Sequence, residues 1–323
     1  MKKIVVILTG GTISMYEDAN SKSVKPHLSN PLLDKADEME KMADIIFETP
    51  FNLPSPHITP KEMLQIKKII DRYLEKGGVD GFVITHGTDT LEETAYFLNL
   101  TIETDVPIII TGAMRSSNEI GTDGFYNFLT SIRTAVHDQA KSKGVLVVLN
   151  DEIHTAKNVT KTHTSNLSTF QSPQYGPIGI VTKKEIVFHY QPKLESKLSI
   201  KELTKRVELV KAYAGMDASL FYYLSQMSID GLVIEALGQG NLPPMCLPGV
   251  KALLDKKIPI VLVSRCFNGI VEDIYAYEGG GVQLKQMGII FSNGLNGQKA
   301  RIKLQIALEK TNDLKKIESW FHE

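Results

Sequence analysis

Ile4-Val5-Val6-Ile7-Leu8 runs straight into Thr9-Gly10-Gly11-Thr12-Ile13. Five apolar residues, four of them β-branched, read as a strand covered on both faces. The run stops in a Gly-assisted turn rich in hydroxyls. The pattern recurs further on, where Gly81-Phe82-Val83-Ile84-Thr85 leads into His86-Gly87-Thr88-Asp89-Thr90. In open α/β sheets, ligands bind beyond the carboxyl ends of the strands. Two such ends, both presenting Thr, point to one site holding two hydroxyls and a carboxylate.

Outward from these strands, apolar runs alternate with segments of helical period, the pattern of a mostly parallel sheet flanked by helices. The first strand is expected over Lys3 to Leu8. Residues 17–25 are polar, without apolar anchors, and read as a mobile loop able to close over Thr12. Thr59-Pro60-Lys61-Glu62 is a capping box with Pro at the first helical position. Ile66, Ile69, Ile70, Tyr73 and Leu74 continue that helix to Gly77-Gly78. A helix over about 91–100, a strand over 107–110, a helix from Asp123 to about Lys141 and a strand over 144–149 follow. The polar stretch 150–171 reads as a solvated loop. The charged stretch 193–205 reads as a linker. Beyond it the alternation restarts, with strands over 207–210, 231–235 and 259–263 and a final amphipathic helix over about 298–309. The expectation is therefore an α/β protein of two α/β domains with mostly parallel sheets. The larger spans residues 1–192 and carries both Thr turns. The smaller spans 206–323.

The chain has 323 residues and a net charge of −1. The charge balance argues against a nucleic-acid footprint, which would show as a basic excess. No apolar stretch approaches the roughly 20 residues of a membrane helix, and the short run after Met1-Lys2-Lys3 reads as a strand rather than a signal peptide. The two cysteines, Cys246 and Cys266, have neither zinc spacing nor a disulfide framework. Each reads as a small buried residue of a protein from a reducing compartment.

Several chemistries fail on detail. No GxGxxG follows the first strand and no GxxxxGK[ST] occurs, so phosphate cradles are absent. Gly238-Gln239-Gly240-Asn241 lacks the third glycine of a dinucleotide fingerprint. His86, His154 and His163 are scattered, with no HExxH spacing, so no metal site is expected and His86 reads as a hydrogen-bonded structural imidazole. Lys161, in Val159-Thr160-Lys161-Thr162, is the best candidate base or proton shuttle; taken alone it is a solvated lysine, and the role requires a depressed pKa.

Taken together, Thr9-Gly10-Gly11-Thr12-Ile13, His86-Gly87-Thr88-Asp89-Thr90, Gly112-Ala113-Met114-Arg115, Val159-Thr160-Lys161-Thr162 and Gln298-Lys299-Ala300-Arg301 resemble the bacterial L-asparaginases in order and spacing, over nearly the whole chain. The resemblance implies hydrolysis of the side-chain amide of L-asparagine without a cofactor. It implies Thr12 as nucleophile and Thr88, Asp89 and Lys161 as a hydroxyl, carboxylate and amine set. It implies that Asp89 also holds the substrate α-amino group, that Ser55 binds the α-carboxylate, and that the Ala113 carbonyl receives the amide nitrogen. Asn241 matches a residue sent in by a neighbouring subunit of a homotetramer built from two intimate dimers. The family often has Gln after the substrate-binding serine; here Pro56 stands there. Its lid tyrosine lies deeper in the loop, whereas Tyr16 is the only tyrosine available. Glu278 is the acid nearest the place of the neighbouring-subunit glutamate. A cytoplasmic form is implied.

Other functions remain to be weighed. A glutaminase-asparaginase of broader specificity differs by one methylene of substrate, worth roughly 1–3 kcal/mol of discrimination. The amidase subunit of a tRNA amidotransferase carries an N-terminal extension, whereas the Thr turn here begins at residue 9, and a gel shift separates the two. A non-catalytic amino-acid sensor is expected to have lost Thr12, Thr88 or Lys161, and all three are present.

Overall fold

A computed structural model describes residues 1–18, 21, 23–26, 31, 32 and 36–323. β1 spans Lys3–Leu8, and every residue from Ile4 to Leu8 is buried. After the turn, β2 (Met15–Glu17) pairs antiparallel with β3 (Val24–Pro26), Tyr16 lying opposite Lys25. The stretch 17–25, expected to be a mobile loop, is thus strand at both its ends; residues 19, 20 and 22 lie outside the described residues. What holds the ribbon is polar rather than apolar. Ser117 donates its N–H (2.9 Å) and its hydroxyl (2.8 Å) to the Met15 carbonyl. The Asn118 side chain accepts from Glu17 N–H (2.7 Å) and donates to the Glu17 carbonyl (2.9 Å).

The chain continues through α1 (Ala36–Glu40), β4 (Asp44–Glu48), α2 (Pro60–Lys76), β5 (Gly81–Thr85), α3 (Leu91–Thr101), β6 (Ile108–Thr111), α4 (Gly124–Ala135) and β7 (Val145–Leu149). The capping box forms, with Thr59 and Glu62 engaging each other's backbone, and Gly77 ends α2. The helix expected to reach Lys141 stops at Ala135, where Lys2 Nζ takes the Val136 carbonyl (2.7 Å) and the Asp138 carboxylate (2.6 Å).

The stretch read as a solvated loop, 150–171, is instead β8 (Glu152–Thr155), β9 (Thr160–Lys161) and β10 (Phe170–Gln171). β11 (Gly179–Val181) and β12 (Ile186–Phe188) follow. Asn150 (φ 48°) and Asp151 (φ 64°) form a two-residue left-handed turn that folds β8 back onto β7, the geometry that right-twisted strands prefer in a tight hairpin.

The eight-stranded sheet has the order β12-β11-β8-β7-β6-β5-β1-β4. It is parallel from β4 to β7 and antiparallel beyond. Val6, Leu8, Val83, Ile109, Leu146 and Val148 pack with Phe128 and Ile132 of α4. Val5, Ile7, Phe82 and Ile84 alternate with them and are equally buried, as a sheet covered on both faces requires.

The chain divides into two units, Met1–Lys197 and Leu198–Glu323. The second is built from β13 (Val207–Lys211), α5 (Ser219–Gln226), β14 (Gly231–Ala236), α6 (Leu247–Asp255), β15 (Ile260–Ser264), α7 (Gly281–Gln286), β16 (Ile290–Phe291), α8 (Gly297–Lys310) and α9 (Leu314–Phe321). Its four strands are all parallel, in sequence order. Helix α8, expected to be amphipathic, is buried nearly all round, Lys299 and Lys303 included. The unforeseen α9 packs on it, and Lys303 Nζ lies 5.5 Å from the centre of the Phe321 ring.

One contact between turns carries a stability consequence. Gly11 has φ 86° and ψ 179°, a region closed to residues with a Cβ. A Cβ there would lie 2.3 Å from Gly87 Cα and 2.4 Å from Gly87 N, both of them backbone atoms. Gly11→Ala is expected to destabilise the protein by about 3 kcal/mol, against about 1 kcal/mol for Gly77→Ala. Gly77 shares that backbone region, with φ 70° and ψ 178°, but has only open space around its Cβ position, so the difference isolates the contact with Gly87. Denaturant unfolding of the two variants at equal protein concentration makes the comparison.

Candidate active site

β1 pairs with β5 so that Leu8 lies beside Thr85, and β5 pairs with β6 so that Thr85 lies beside Thr111. Three consecutive strands therefore end together, and their turns, Thr9–Thr12, His86–Thr90 and Gly112–Arg115, are neighbours. Thr9 donates its hydroxyl to the Thr85 carbonyl at 2.7 Å. Leu53 N–H reaches the Thr9 carbonyl (3.0 Å), and Gly11 N–H reaches the Leu53 carbonyl (3.1 Å). The first turn is thus laced on one side to β5 and on the other to Leu53. Thr12 opens a short 3-10 turn in which Ile13 and Ser14 are buried while Thr12 is only half-buried.

In the second turn Thr88 is buried and Asp89 exposed. Lys161 comes from β9 and donates from Nζ to Thr88 Oγ1 (2.9 Å) and to Asp89 Oδ1 (2.7 Å). Its side chain is only 16% exposed, so it is not the solvated lysine it looks like in isolation. Because Thr88 Oγ1 accepts from the lysine, its own proton is left to donate elsewhere. Ser55 joins the group: its Oγ accepts Asp89 N–H (3.1 Å) and its carbonyl accepts the Thr90 hydroxyl (2.8 Å). Gly87 has no room for a Cβ, which would lie 2.8 Å from Ser55 Oγ.

Ala113 is fully buried. The next peptide N–H, that of Met114, is held by Asp123 at 3.0 Å, and Arg115 N–H by the same carboxylate at 3.0 Å. Asn127 Nδ2 braces the arrangement, donating to Asp123 Oδ2 (3.0 Å) and to the Gly112 carbonyl (3.1 Å). In a trans peptide N–H and C=O point opposite ways, so pinning Met114 N–H aims the Ala113 carbonyl away from Asp123. Asp123 is legible in the sequence only as the start of a helix.

His86 is fully buried. Nδ1 lies 2.8 Å from the Gly87 carbonyl and Nε2 lies 2.9 Å from Thr94 Oγ1. A carbonyl only accepts, so Nδ1 carries the proton and Nε2 receives the Thr94 hydroxyl. Both ring nitrogens are occupied within the protein. Among the described residues no cluster of His, Cys, Asp and Glu is placed to hold a metal ion.

Tyr16 sits on β2, three residues past the buried Ile13. Asn241 and Glu278 belong to the second unit. Asn241 closes the turn after β14, its backbone paired with Leu237 and its Oδ1 accepting Gly281 N–H at 3.2 Å. Glu278 borders an open groove lined by Met245, Leu247, Leu254 and Met287. Ser264 Oγ, at the end of β15, donates to the Gly238 carbonyl (2.6 Å) and accepts Cys266 N–H (3.1 Å). Cys246 is buried, and desolvation, with the nearby Asp217 charge, pushes its thiol up to about 11. Cys266, read as a small buried residue, is exposed instead, because it follows the last strand residue into an exposed turn.

Burial pushes the His86 pKa down from 6.5 to about 4, partly offset by its bond to Gly87. The unfolded chain therefore binds the extra proton between these values. The stability that His86 contributes as a neutral ring is fully present above pH 6.5 and is lost as the pH falls through 4, about 3 kcal/mol in all. Proton NMR should show a His86 resonance that does not titrate between pH 7 and 5.5, and His86→Gln should flatten the acid limb of the stability curve.

Family models match both parts of the chain. Asparaginase, N-terminal, covers residues 3–194, and the glutaminase/asparaginase C-terminal domain covers residues 206–321. An L-asparaginase of Bacillus licheniformis is 34% identical over 95% of both chains. A probable L-asparaginase of Deinococcus radiodurans is 38% identical over 95% of this chain and 93% of its own. The crystal structure of a probable cytoplasmic L-asparaginase from Campylobacter jejuni superposes with a TM-score of 0.89 at 33% identity, covering 100% of both chains. On both domains and at full length, this chain belongs to the asparaginase family.

Proposed function

We propose that the protein hydrolyses the side-chain amide of L-asparagine to L-aspartate and ammonia, with Thr12 as nucleophile. The observation that carries this is the pair of bonds from Lys161 Nζ to Thr88 Oγ1 and Asp89 Oδ1, at the strand ends where the Thr12 turn also stands. An amino-acid substrate is a zwitterion. The exposed Asp89 carboxylate receives its α-ammonium, and Ser55 and Thr88 face its α-carboxylate. The Ala113 carbonyl, aimed by Asp123, accepts the amide N–H and orients the leaving group.

Thr12 Oγ1 attacks the amide carbon, and its proton passes to the departing nitrogen, Tyr16 serving as the shuttle. Ammonia leaves and an ester to Thr12 remains. Water beside Thr88 Oγ1 then attacks this ester, and its proton passes to Thr12 Oγ1 as the ester C–O bond breaks and aspartate leaves, while the Lys161 ammonium holds Thr88 and Asp89 in place. No step calls on a cofactor.

Residues 1–192 supply this machinery, 193–205 connect, and 206–323 complete the site of a neighbouring subunit with Asn241 and Glu278, in a homotetramer of intimate dimers. In support, the second unit leaves Leu220, Tyr223, Met245, Phe267, Ile274 and Tyr277 exposed, more apolar surface than isolated residues need. A cytoplasmic setting is proposed from the Campylobacter jejuni relative and the unpaired cysteines. Among the described residues, no helix is long and apolar enough to cross a membrane.

Thr12→Ala should remain folded and lose turnover by at least about 1000-fold. Measured beside it, the wild-type enzyme should show a higher kcat/KM for asparagine than for glutamine. Pro56 offers no backbone donor where the family often has Gln. Equal or greater kcat/KM for glutamine establishes the broader glutaminase-asparaginase reading instead, and a Thr12→Ala variant with normal turnover removes the covalent mechanism.

Complementation tests the shared site. Thr12→Ala and Asn241→Ala, each nearly inactive, are unfolded and refolded together. Half of the pairs are then mixed, each with one intact site of two, so roughly a quarter of wild-type activity should return. No recovery, with both chains refolded and exchanged, means that Asn241 acts within its own chain or that the assembly differs from the family's.

A further inference from the structure

We infer that Glu92 is a positioning residue for the Lys161 ammonium. Glu92 is buried, at 4% exposure, in the first turn of α3. Its Oε1 accepts two bonds from β9, which lies 68 and 69 residues further along: the Thr160 hydroxyl at 3.0 Å and the backbone N–H of Lys161 itself at 3.3 Å. A carboxylate is rarely buried unless its lone pairs are filled, and here donors from β9 help to fill them.

The arrangement is a two-ended grip. Lys161 carries its charge on a flexible four-carbon stem. At the root, Glu92 holds the main chain, and the pairing of Lys161 with Phe170 fixes the strand direction. At the tip, Thr88 and Asp89 take Nζ. The residues at both ends, Thr88, Asp89 and Glu92, lie within five consecutive positions of one turn entering α3, whose residues from Leu91 to Thr101 are nearly all buried. One rigid segment therefore fixes where the lysine starts and where it must arrive. Without Glu92, the Thr160 hydroxyl and the Lys161 N–H lose the acceptor in α3 that they share, and only the flexible end of the Lys161 side chain still ties that residue to Thr88 and Asp89. A displacement of about 1 Å at reacting groups is enough to cost on the order of 100-fold in rate.

This rests on the proposed role of Lys161, so Lys161→Met is measured in parallel. Glu92→Ala should lose about 10- to 100-fold in kcat for asparagine, with KM within about threefold of wild type. Glu92→Gln keeps an acceptor oxygen for both donors, and should recover kcat to within about threefold. A purely structural role would lower the folded fraction and leave the kcat of the folded enzyme unchanged. If Glu92→Ala does not fold, Thr160→Val replaces it, removing one of the two donors, and should lose at least about threefold in kcat at unchanged KM. A folded Glu92→Ala, or in its place Thr160→Val, with wild-type kcat overturns the inference, as does a Glu92→Gln variant as impaired as Glu92→Ala. If Lys161→Met itself stays active, the proposed function of the lysine has failed instead, and Glu92 has no reacting group to position.

Discussion

Gly11 and Gly87 press backbone against backbone, and this approach sets the dimensions of the site. With a Cβ of Gly11 only 2.3 Å from Gly87 Cα, and one of Gly87 only 2.8 Å from Ser55 Oγ, a side chain on either glycine would force the three segments apart. Parallel strands alone bring chain ends to within a strand spacing of about 5 Å. The glycines let the turns close the remaining gap. The turn that carries Thr12 is thereby held against the turn that carries Thr88, and Ser55 packs on the same glycine.

Much of the first unit was legible because its signals are local. A buried parallel strand is a continuous apolar run, and Lys3–Leu8, Gly81–Thr85 and Val145–Leu149 stand close to where such runs stand in the sequence. The capping box at Thr59 and the stop at Gly77 are chemistry written in four and two residues. What escaped was held by distant partners. The β2–β3 ribbon depends on Ser117 and Asn118, about a hundred residues away. β9 depends on Glu92 and β10. Strands two and three residues long cannot show an alternation, and in 150–171 polar residues that seemed to face water instead bond one another. The Asn150–Asp151 turn is legible, as two turn-forming residues between an apolar strand and Ile153.

The site shows the same division. Residues that would touch substrate lie in short motifs beside glycines, where resemblance finds them. Those that hold these residues in place, Asp123 just before α4 and Asn127 and Glu92 within helices, look like ordinary first-turn or surface polar residues. Their work appears only when a backbone N–H from another segment is found on each side-chain oxygen. The family's Gln after the serine is Pro56 here, on the short turn 55–57, where a missing N–H leaves no broken ladder.

The two cysteines differ in a way that has a practical side. Cys246 is buried with its thiol pushed up to about 11, so it stays a poor nucleophile at neutral pH. Cys266 is exposed, and its N–H is tied through Ser264 Oγ to the Gly238 carbonyl at the start of the turn that ends in Asn241. Each chain thus offers a single accessible thiol two hydrogen bonds from that turn. A maleimide fluorophore or spin label would attach there without engineering, and its signal would report on the surroundings of Asn241 in the native protein.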